Sequence, residues 1–245
     1  MKRSLLILLW GFLAPALASD APRFDYYVLS LSWTPAFCED NPQAKRRLAQ
    51  CRTLARRDAP LLGLHGLWPN RRDGRHPQDC AGRTESFCRL PPVRLPATVA
   101  VRLDRVMPAA QDCLDRHEWF KHGSCTGLSE ADYFTAAAQW AERVAADLDG
   151  TLRQNAGRPV ALDDLVAVVA RKDRPLAEAL LFDCRTPRTP DPAKRKPMLQ
   201  EVRVFLSRDP ASGAPGGPLP RRAVGVPSYN SGCPAGRAYV DSPLD

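Results

Sequence analysis

Histidine is scarce in this chain, and its few copies are clustered. There are four, at His65, His76, His117 and His122. The last two enclose Glu118 and Lys121, so that two imidazoles, a carboxylate and an ammonium group fall within six residues. Because imidazole titrates near neutral pH, a pair of histidines can accept a proton at one place and donate one at another. The segment therefore predicts acid–base chemistry, although a structural helix with a solvated charged face would look partly similar.

The spacing within the sequence HEWFKH places these groups on one side of a helix. With His117 at 0° and about 100° per residue, Lys121 lies at about 40°. Glu118 and His122 follow at about 100° and about 140°. One helix face would then hold all four polar groups, and the two aromatic residues between them would point away from it.

A zinc site is the alternative interpretation of this segment. The metalloprotease pattern has two histidines four residues apart, so that both imidazoles meet one ion. Here the spacing is five, and the rings point about 140° apart. A phosphate fits better, because Lys121 and one imidazole can hold a phosphoryl oxygen while the other imidazole moves a proton. A secreted zinc hydrolase would instead lose its activity to chelators.

Two strands and a set of helices must hold these groups in place. The aromatic and β-branched run 24–33 predicts a central strand, and 61–68 predicts a second strand with glycines on either side of His65. We predict helices over 96–106, 110–121, 129–148 and 162–172, and late strands over 179–183 and 201–207. The remaining segments are one basic, partly helical stretch and three turn-rich loops: 42–58, 69–92, 186–197 and 209–220.

Single residues mark the ends of these elements. Ser129 and Asp132 resemble a capping pair, and Gly123 and Gly150 are expected to end helices. Three aromatic residues are expected in the core: Trp33, Trp119 and Phe120. Strands and helices are interleaved irregularly, with no repeating βαβ unit, which predicts an α+β domain.

The amino terminus has the pattern of a secretory signal peptide. Lys2 and Arg3 precede an apolar run over 4–13 that is too short to span a bilayer comfortably. Ala16-Leu17-Ala18 then forms a small-x-small cleavage site. We expect cleavage after Ala18, a single domain over 19–245, and a secreted or periplasmic protein that is no longer attached to a membrane. An uncleaved anchor is the alternative.

The cysteine count supports an oxidising compartment. All eight lie beyond the cleavage site, at Cys38, Cys51, Cys80, Cys88, Cys113, Cys125, Cys184 and Cys233. An even number behind a signal peptide predicts disulfides, and the C-x-x-C pairs of a zinc ribbon are absent from the sequence. The count alone leaves 105 connectivities open.

The net charge indicates a polyanionic partner. The formal charge is +8 and the isoelectric point about 9.3, and removal of Lys2 and Arg3 lowers the charge to +6. Phosphate-rich nucleic acid is the obvious candidate. A non-catalytic secreted module that binds polyanions is therefore an alternative to an enzyme, but it would not require His65 and the HEWFKH groups to coexist.

Two segments together resemble a known family. LHGLWP over 64–69 and HEWFKHGSC over 117–125 look like the two active-site segments of the ribonuclease T2 family, in the same order and about fifty residues apart. FDYYVLSLSWTPAFC resembles that family's first strand, and the region from Cys184 to Cys233 resembles its last strands. The likeness is to the bacterial periplasmic branch and covers most of the chain, except for the loops 69–92 and 186–220.

The resemblance implies a fold and a reaction. The fold would be a central antiparallel sheet flanked by helices and stabilised by disulfides. The protein would be a monomeric endoribonuclease that cuts single-stranded RNA through a 2′,3′-cyclic phosphate, with no metal and no cofactor. His122 would be the general base and His65 the general acid, and the two roles exchange when the cyclic ester is hydrolysed. Glu118 and Lys121 would stabilise the pentavalent phosphorus, and His117 would hold the phosphate.

The resemblance also implies binding residues and disulfide pairs. Trp68 matches a base-stacking aromatic, for which a core tryptophan is the alternative. Asn70 stands where other members carry an aspartate that recognises a base, so we expect low base specificity. The implied pairs are Cys80–Cys125, Cys184–Cys233, Cys38–Cys51 and Cys88–Cys113.

Two further groups of residues lie outside both motifs. We expect His76 to be a surface residue of the turn DGRHP. Five basic residues near the late strands could follow RNA phosphates, or could simply be a solvated loop: Arg185, Arg188, Lys194, Arg195 and Lys196.

Overall fold

The computed structural model describes residues 22–54, 60–186, 195–228 and 230–242. Its strands are β1 (Tyr26–Trp33), β2 (Leu62–Asn70), β3 (Arg158–Ala161), β4 (Leu180–Arg185), β5 (Met198–Arg208), β6 (Pro215–Pro218), β7 (Asn230–Ser231) and β8 (Arg237–Val240). Its helices are α1 (Thr34–Asp40), α2 (Pro42–Arg47), α3 (Ala49–Arg52), α4 (Ala97–Val106), α5 (Leu114–Lys121), α6 (Glu130–Gln154), α7 (Leu162–Ala170) and α8 (Arg174–Glu178). The expected signal peptide over 1–18 lies outside the described residues.

One sheet organises the domain. Its strands run in the order β2-β1-β5-β4-β7, with β6 and β8 also paired to β5 and β3 paired to β8. The pairs β2–β1, β1–β5 and β5–β4 are antiparallel, as predicted, whereas β4–β7 and β5–β8 are parallel. The sheet is therefore mixed at its edge, and the α+β prediction is confirmed.

The two faces of β1 differ, because side chains alternate along a strand. Tyr27, Leu29, Leu31 and Trp33 are fully buried in the main core. The long helix α6 packs on this face with apolar residues such as Phe134. The opposite face of β1 carries Ser30 and Ser32 at one end, and Tyr26 and Val28 at the other, where they join a smaller apolar cluster. The candidate site is built beside the serines.

A bulge in β2 interrupts this alternation at His65. Leu64 pairs with Leu31, while Gly66 already pairs with Ser30, so His65 is the extra residue. The bulge lets Leu64 and Leu67, which are three positions apart, both enter the core. Bulges re-aim side chains in this way, and here the residue released from the pairing is a histidine.

Four disulfides link the described elements. They join Cys38 to Cys51, Cys80 to Cys125, Cys88 to Cys113 and Cys184 to Cys233, which are the pairs that the resemblance implied. Two of them hold the long loop 71–92 against the two ends of α5. None of the helices in the described ranges is long and apolar enough to cross a membrane.

Two helix predictions were wrong at their ends. The helix predicted over 110–121 is broken, because Cys113 adopts a left-handed conformation with φ of 64° between a 3-10 turn and α5. The helix predicted to end near Gly150 continues to Gln154, and a side chain at Gly150 would meet nothing within 4 Å. Ser129 does cap α6, accepting a hydrogen bond from the backbone of Asp132.

Candidate active site

His65 lies at the centre of a hydrogen-bonded cluster. Its Nδ1 is 2.7 Å from Oε1 of Glu201, and its Nε2 is 3.7 Å from Oε1 of Glu118. The imidazole is 34% exposed, whereas the Glu118 side chain is only 1% exposed. The bulge in β2 therefore presents His65 to solvent while a buried carboxylate lies behind it.

Glu118 is the residue of α5 that points into the protein. Its Oε2 accepts a hydrogen bond of 2.8 Å from the indole nitrogen of Trp68. This bond passes directly over Gly66, where an added Cβ would lie 1.9 Å from the Glu118 carboxylate and 2.5 Å from the Trp68 nitrogen. Gly66 therefore has no side chain because the Glu118–Trp68 pair occupies that space.

Trp68 brings the two motifs together. Its ring centroid is 5.3 Å from that of His65 and 5.5 Å from that of His122. The indole is only partly buried. Two imidazoles from distant parts of the sequence thus flank one partly exposed aromatic ring.

His117 and Lys121 lie on the same side of α5. His117 stacks on Phe87, with ring centroids 4.7 Å apart and planes inclined by 10°. Phe87 is 44% exposed and precedes Cys88, whose disulfide to Cys113 fixes the loop beside the start of α5. The Lys121 charge lowers the pKa of both His117 and His122, so the ammonium lies near both imidazoles.

The two flanking histidines have opposite pKa shifts. Burial, with the neighbouring Lys121, His117 and His65, lowers the pKa of His122 to about 3. Burial also lowers the pKa of His65, but the hydrogen bond to Glu201 and the charge of Glu118 outweigh it and leave that pKa raised. Near neutral pH, His122 is therefore neutral and His65 is the imidazole that holds a proton more firmly.

The carboxylates are also perturbed in opposite directions. Burial raises the pKa of Glu118 to about 7, even though His65, Trp68 and Lys121 favour its charged form. Burial would raise the pKa of Glu201 as well, but its hydrogen bond to His65 and the charges of His65 and Arg203 lower that pKa to about 2. Opposed shifts among neighbouring acids and bases are typical of catalytic sites.

A cavity of about 760 Å³ adjoins the cluster on the polar face of the sheet. His65, Glu201 and Arg203 form one part of its wall, and Phe87 forms another. A smaller cavity of about 190 Å³ lies beside His117, Phe120 and Lys121. The cluster is therefore bordered by space for more than one chemical group of a substrate.

The structure places the other predicted site residues in different surroundings. The Asn70 side chain is largely buried and donates a hydrogen bond of 2.8 Å to the Trp68 carbonyl. His76 is exposed and accepts a hydrogen bond from the backbone of Arg71. Arg185 is exposed at the cavity, whereas Arg188 and Lys194 lie outside the described residues.

The predictions for three aromatic residues and one glycine had different outcomes. Trp33 is fully buried, and Trp119 packs on the core at Tyr133, both as predicted. Phe120 is only half-buried and lines the small cavity, so its assignment to the core was wrong. Gly123 does not form a left-handed helix end: a Cβ there would lie 2.4 Å from the Trp119 ring, so close contact explains the glycine.

Sequence reasoning missed Glu201, Arg203 and Asp183. Arg203 donates two hydrogen bonds to Oε2 of Glu201, of 2.9 and 2.7 Å, and one of 3.2 Å to Asp183. These residues lie on β4 and β5, far in sequence from both motifs. For Glu201 and Arg203, the alternation with apolar residues in EVRVF is a sequence signal that the two share a face. In the part of the chain that the structure describes, no three His, Cys, Asp or Glu side chains are grouped to hold a metal ion.

Comparisons with known proteins show which family the chain resembles in sequence. The sequence model that describes the ribonuclease T2 family matches residues 24–212 of this chain. Ribonuclease I of Escherichia coli is 31% identical over 186 residues, which cover 64% of this chain and 69% of that protein. A ribonuclease of Aeromonas hydrophila is 32% identical over 146 residues, and the match spans 56% of each chain.

Solved structures share the fold at low sequence identity. A variant of RNase MC1 in complex with 5′-UMP matches with a TM-score of 0.60 and 19% identity, covering 89% of this chain and 99% of that one. RNase NT in complex with 5′-AMP matches with a TM-score of 0.51 and 18% identity, covering 81% and 98%. These matches confirm the fold class, a sheet flanked by helices.

Proposed function

Because this chain belongs to the ribonuclease T2 family, we propose that it is an endoribonuclease that cleaves single-stranded RNA by metal-independent transphosphorylation. The observation that carries the proposal is the arrangement of His65 and His122. The two imidazoles flank the Trp68 ring and have opposite pKa shifts. The lowered pKa of His122 favours the neutral form that a general base needs, and the raised pKa of His65 favours the protonated form that a general acid needs.

In the first step, His122 accepts the proton of the ribose 2′-hydroxyl. The 2′-oxygen attacks the adjacent phosphorus, and the bond from phosphorus to the 5′-oxygen of the next nucleotide breaks. His65 donates a proton to that leaving oxygen. The products are a 2′,3′-cyclic phosphate and a free 5′-hydroxyl. In the second step the roles exchange: His65 activates water, and His122 protonates the 2′-oxygen. DNA does not react, because it lacks the 2′-hydroxyl.

The remaining polar groups stabilise the phosphorane. Lys121 supplies a fixed positive charge beside His117 and His122, and the proposal places it and His117 on the non-bridging oxygens. Glu118, with a pKa of about 7, is present in part as the neutral acid and can donate a hydrogen bond to a phosphoryl oxygen. Preorganised charges and dipoles of this kind supply a large share of catalysis.

Trp68 and the large cavity would position the nucleotides. The partly exposed indole offers a stacking surface for a base, and such stacking tolerates any base. The Asn70 side chain is largely buried and donates a hydrogen bond to the Trp68 carbonyl, so it has little access to a base. We therefore propose low base specificity. The predicted signal peptide and the four disulfides support a secreted or periplasmic location. We propose that the protein acts as a monomer.

The test is cleavage of a defined single-stranded RNA in excess EDTA by the purified, oxidised protein. We expect 2′,3′-cyclic phosphate ends from the natural chain and none from the His122→Phe variant. His76→Phe is the matched control, because His76 is an exposed histidine outside the cluster, and it should cut normally. Loss of cleavage in EDTA would favour a metal enzyme. Tight RNA binding without cleavage would favour the polyanion-binding module.

A further inference from the structure

Glu201 makes the shortest contact of the His65 imidazole. Its Oε1 is 2.7 Å from Nδ1, so an ionised Glu201 accepts a hydrogen bond from the Nδ1 proton. The other imidazole nitrogen, Nε2, has no such short contact: it lies 3.7 Å from Oε1 of Glu118. A histidine whose Nδ1 proton is held by a carboxylate has its reactive nitrogen fixed at Nε2.

The sheet brings Glu201 to His65 across an intervening strand. His65 is on β2 and Glu201 on β5, and β1 lies between them. Glu201 pairs with Ser32, and the neighbouring Arg203 pairs with Ser30, so both residues share a face with the two serines. Because these serine side chains are small, the longer side chains of His65 and Glu201 can meet above β1.

Glu201 is itself held on its far side. Arg203 donates two hydrogen bonds to its Oε2, and a third to Asp183 on β4. The Glu201 side chain is only 13% exposed. A carboxylate bound on both oxygens and largely buried has few alternative rotamers, so it can hold the imidazole in one orientation.

We propose that Glu201 is a positioning residue for His65: it holds the ring with Nε2 towards the substrate and stabilises the imidazolium that protonates the leaving 5′-oxygen. This inference rests on the proposed function for its catalytic consequence. The charged and titratable groups that face His65 are Glu118, His117 and His122 from the segment around α5, and Glu201 and Arg203 from β5. Among them, Glu201 is the group in hydrogen-bond contact with Nδ1.

The test compares Glu201→Gln with Asp183→Asn. Both variants replace a carboxylate bound to Arg203 by its amide, but only the first changes the partner of His65. We expect Glu201→Gln to lower kcat on the order of 10- to 100-fold with little change in KM, as for carboxylate partners of other functional histidines. The basic limb of its pH–rate profile should move to lower pH, because the imidazolium has lost its anionic partner. Asp183→Asn should leave that limb in place.

Titration of the His65 imidazole by NMR gives a readout that does not depend on activity. In the natural chain, His65 should titrate above its ordinary pKa, with its Nδ1 proton held at low pH. The resonance is assigned from its loss in His65→Ala. A His65 that titrates at or below its ordinary pKa would overturn the proposal, and so would equal effects of Glu201→Gln and Asp183→Asn. If the protein did not cut RNA, the proposed function would fail, while the titration would still decide whether Glu201 holds His65.

Discussion

Gly66 is a position at which the structure leaves no space for a side chain. A methyl group there would overlap the Glu118 carboxylate at 1.9 Å and the Trp68 indole nitrogen at 2.5 Å. Both distances are far below van der Waals contact, and the Glu118 side chain has no free space to move into, because it is only 1% exposed. The Gly66→Ala variant must therefore separate Glu118 from Trp68.

The expected cost has two parts. Forcing an extra methyl into a packed site costs about 1 to 3 kcal/mol. Loss of a hydrogen bond to a buried charged group costs about 1.5 to 3 kcal/mol more. Together they amount to about 2.5 to 6 kcal/mol, which is a fall in Tm on the order of 10 °C for a domain of this size. Displacing Glu118 should also slow RNA cleavage by roughly 100-fold.

The matched control is Gly63→Ala on the same strand. A Cβ at Gly63 would have its nearest neighbour at 3.4 Å, the Thr34 hydroxyl, which is ordinary contact. Its Tm should change by no more than a few degrees. The two variants are compared by thermal unfolding, and Gly66→Ala is then assayed on single-stranded RNA below its Tm. Equal Tm values for the two variants, or full activity of Gly66→Ala, would refute the packing assigned to Gly66.

Three further predictions concern protons and bridges. The pH profile of kcat/KM should have its acidic limb well below pH 6.5, because His122 must be neutral and its pKa is lowered to about 3. Its basic limb should lie above pH 6.5, because His65 must be protonated and its pKa is raised. A single steady rise across pH 6.5 would contradict the assignment. A carboxyl whose pKa is raised from 4.5 to about 7 destabilises the folded state once it ionises. As the pH rises from 4.5 to 8, the free energy of unfolding of Glu118→Gln in urea should therefore increase by about 3 kcal/mol relative to that of the natural chain. A difference between the two free energies that stays constant with pH would contradict the burial of Glu118 as an acid. Replacing Cys88 and Cys113 by serine should lower the free energy of unfolding by about 3 to 4 kcal/mol. It should also raise KM for RNA, because Phe87 loses its fixed place against His117. An unchanged KM would show that this loop does not contribute to RNA binding.

Much of this architecture could be predicted from local sequence. The apolar and aromatic content of 24–33 and 61–68 predicts both strands. Residue type and spacing identify the two histidine segments. The break in the helix predicted over 110–121 could not be foreseen, because Cys113 adopts its left-handed conformation between a 3-10 turn and α5, where it is bridged to Cys88. Local pattern favoured a continuous helix, and tertiary constraints prevailed.

The contact between Glu201 and His65 could not be predicted from the sequence either. Nothing in the sequence around Glu201 links it to His65, 136 residues earlier. Their contact depends on β5 pairing with β1, on β1 pairing with β2, and on the bulge that releases His65. Glycine roles are limited in the same way, because Gly66 and Gly123 are required by side chains that only the fold brings next to them.

The central claim is that His65 is the general acid and His122 the general base. A change of leaving group tests this assignment most directly. A ribonucleoside 3′-phosphate p-nitrophenyl ester has a leaving group that departs without a proton, whereas the 5′-oxygen of a dinucleotide needs one. General acid or base catalysis contributes roughly 100- to 10,000-fold, so His65→Ala and His122→Ala should both lose about that much on the dinucleotide. On the nitrophenyl ester, His65→Ala should recover most of its rate and His122→Ala should recover none. Recovery by His122→Ala instead, or by neither variant, would contradict the assignment of acid and base.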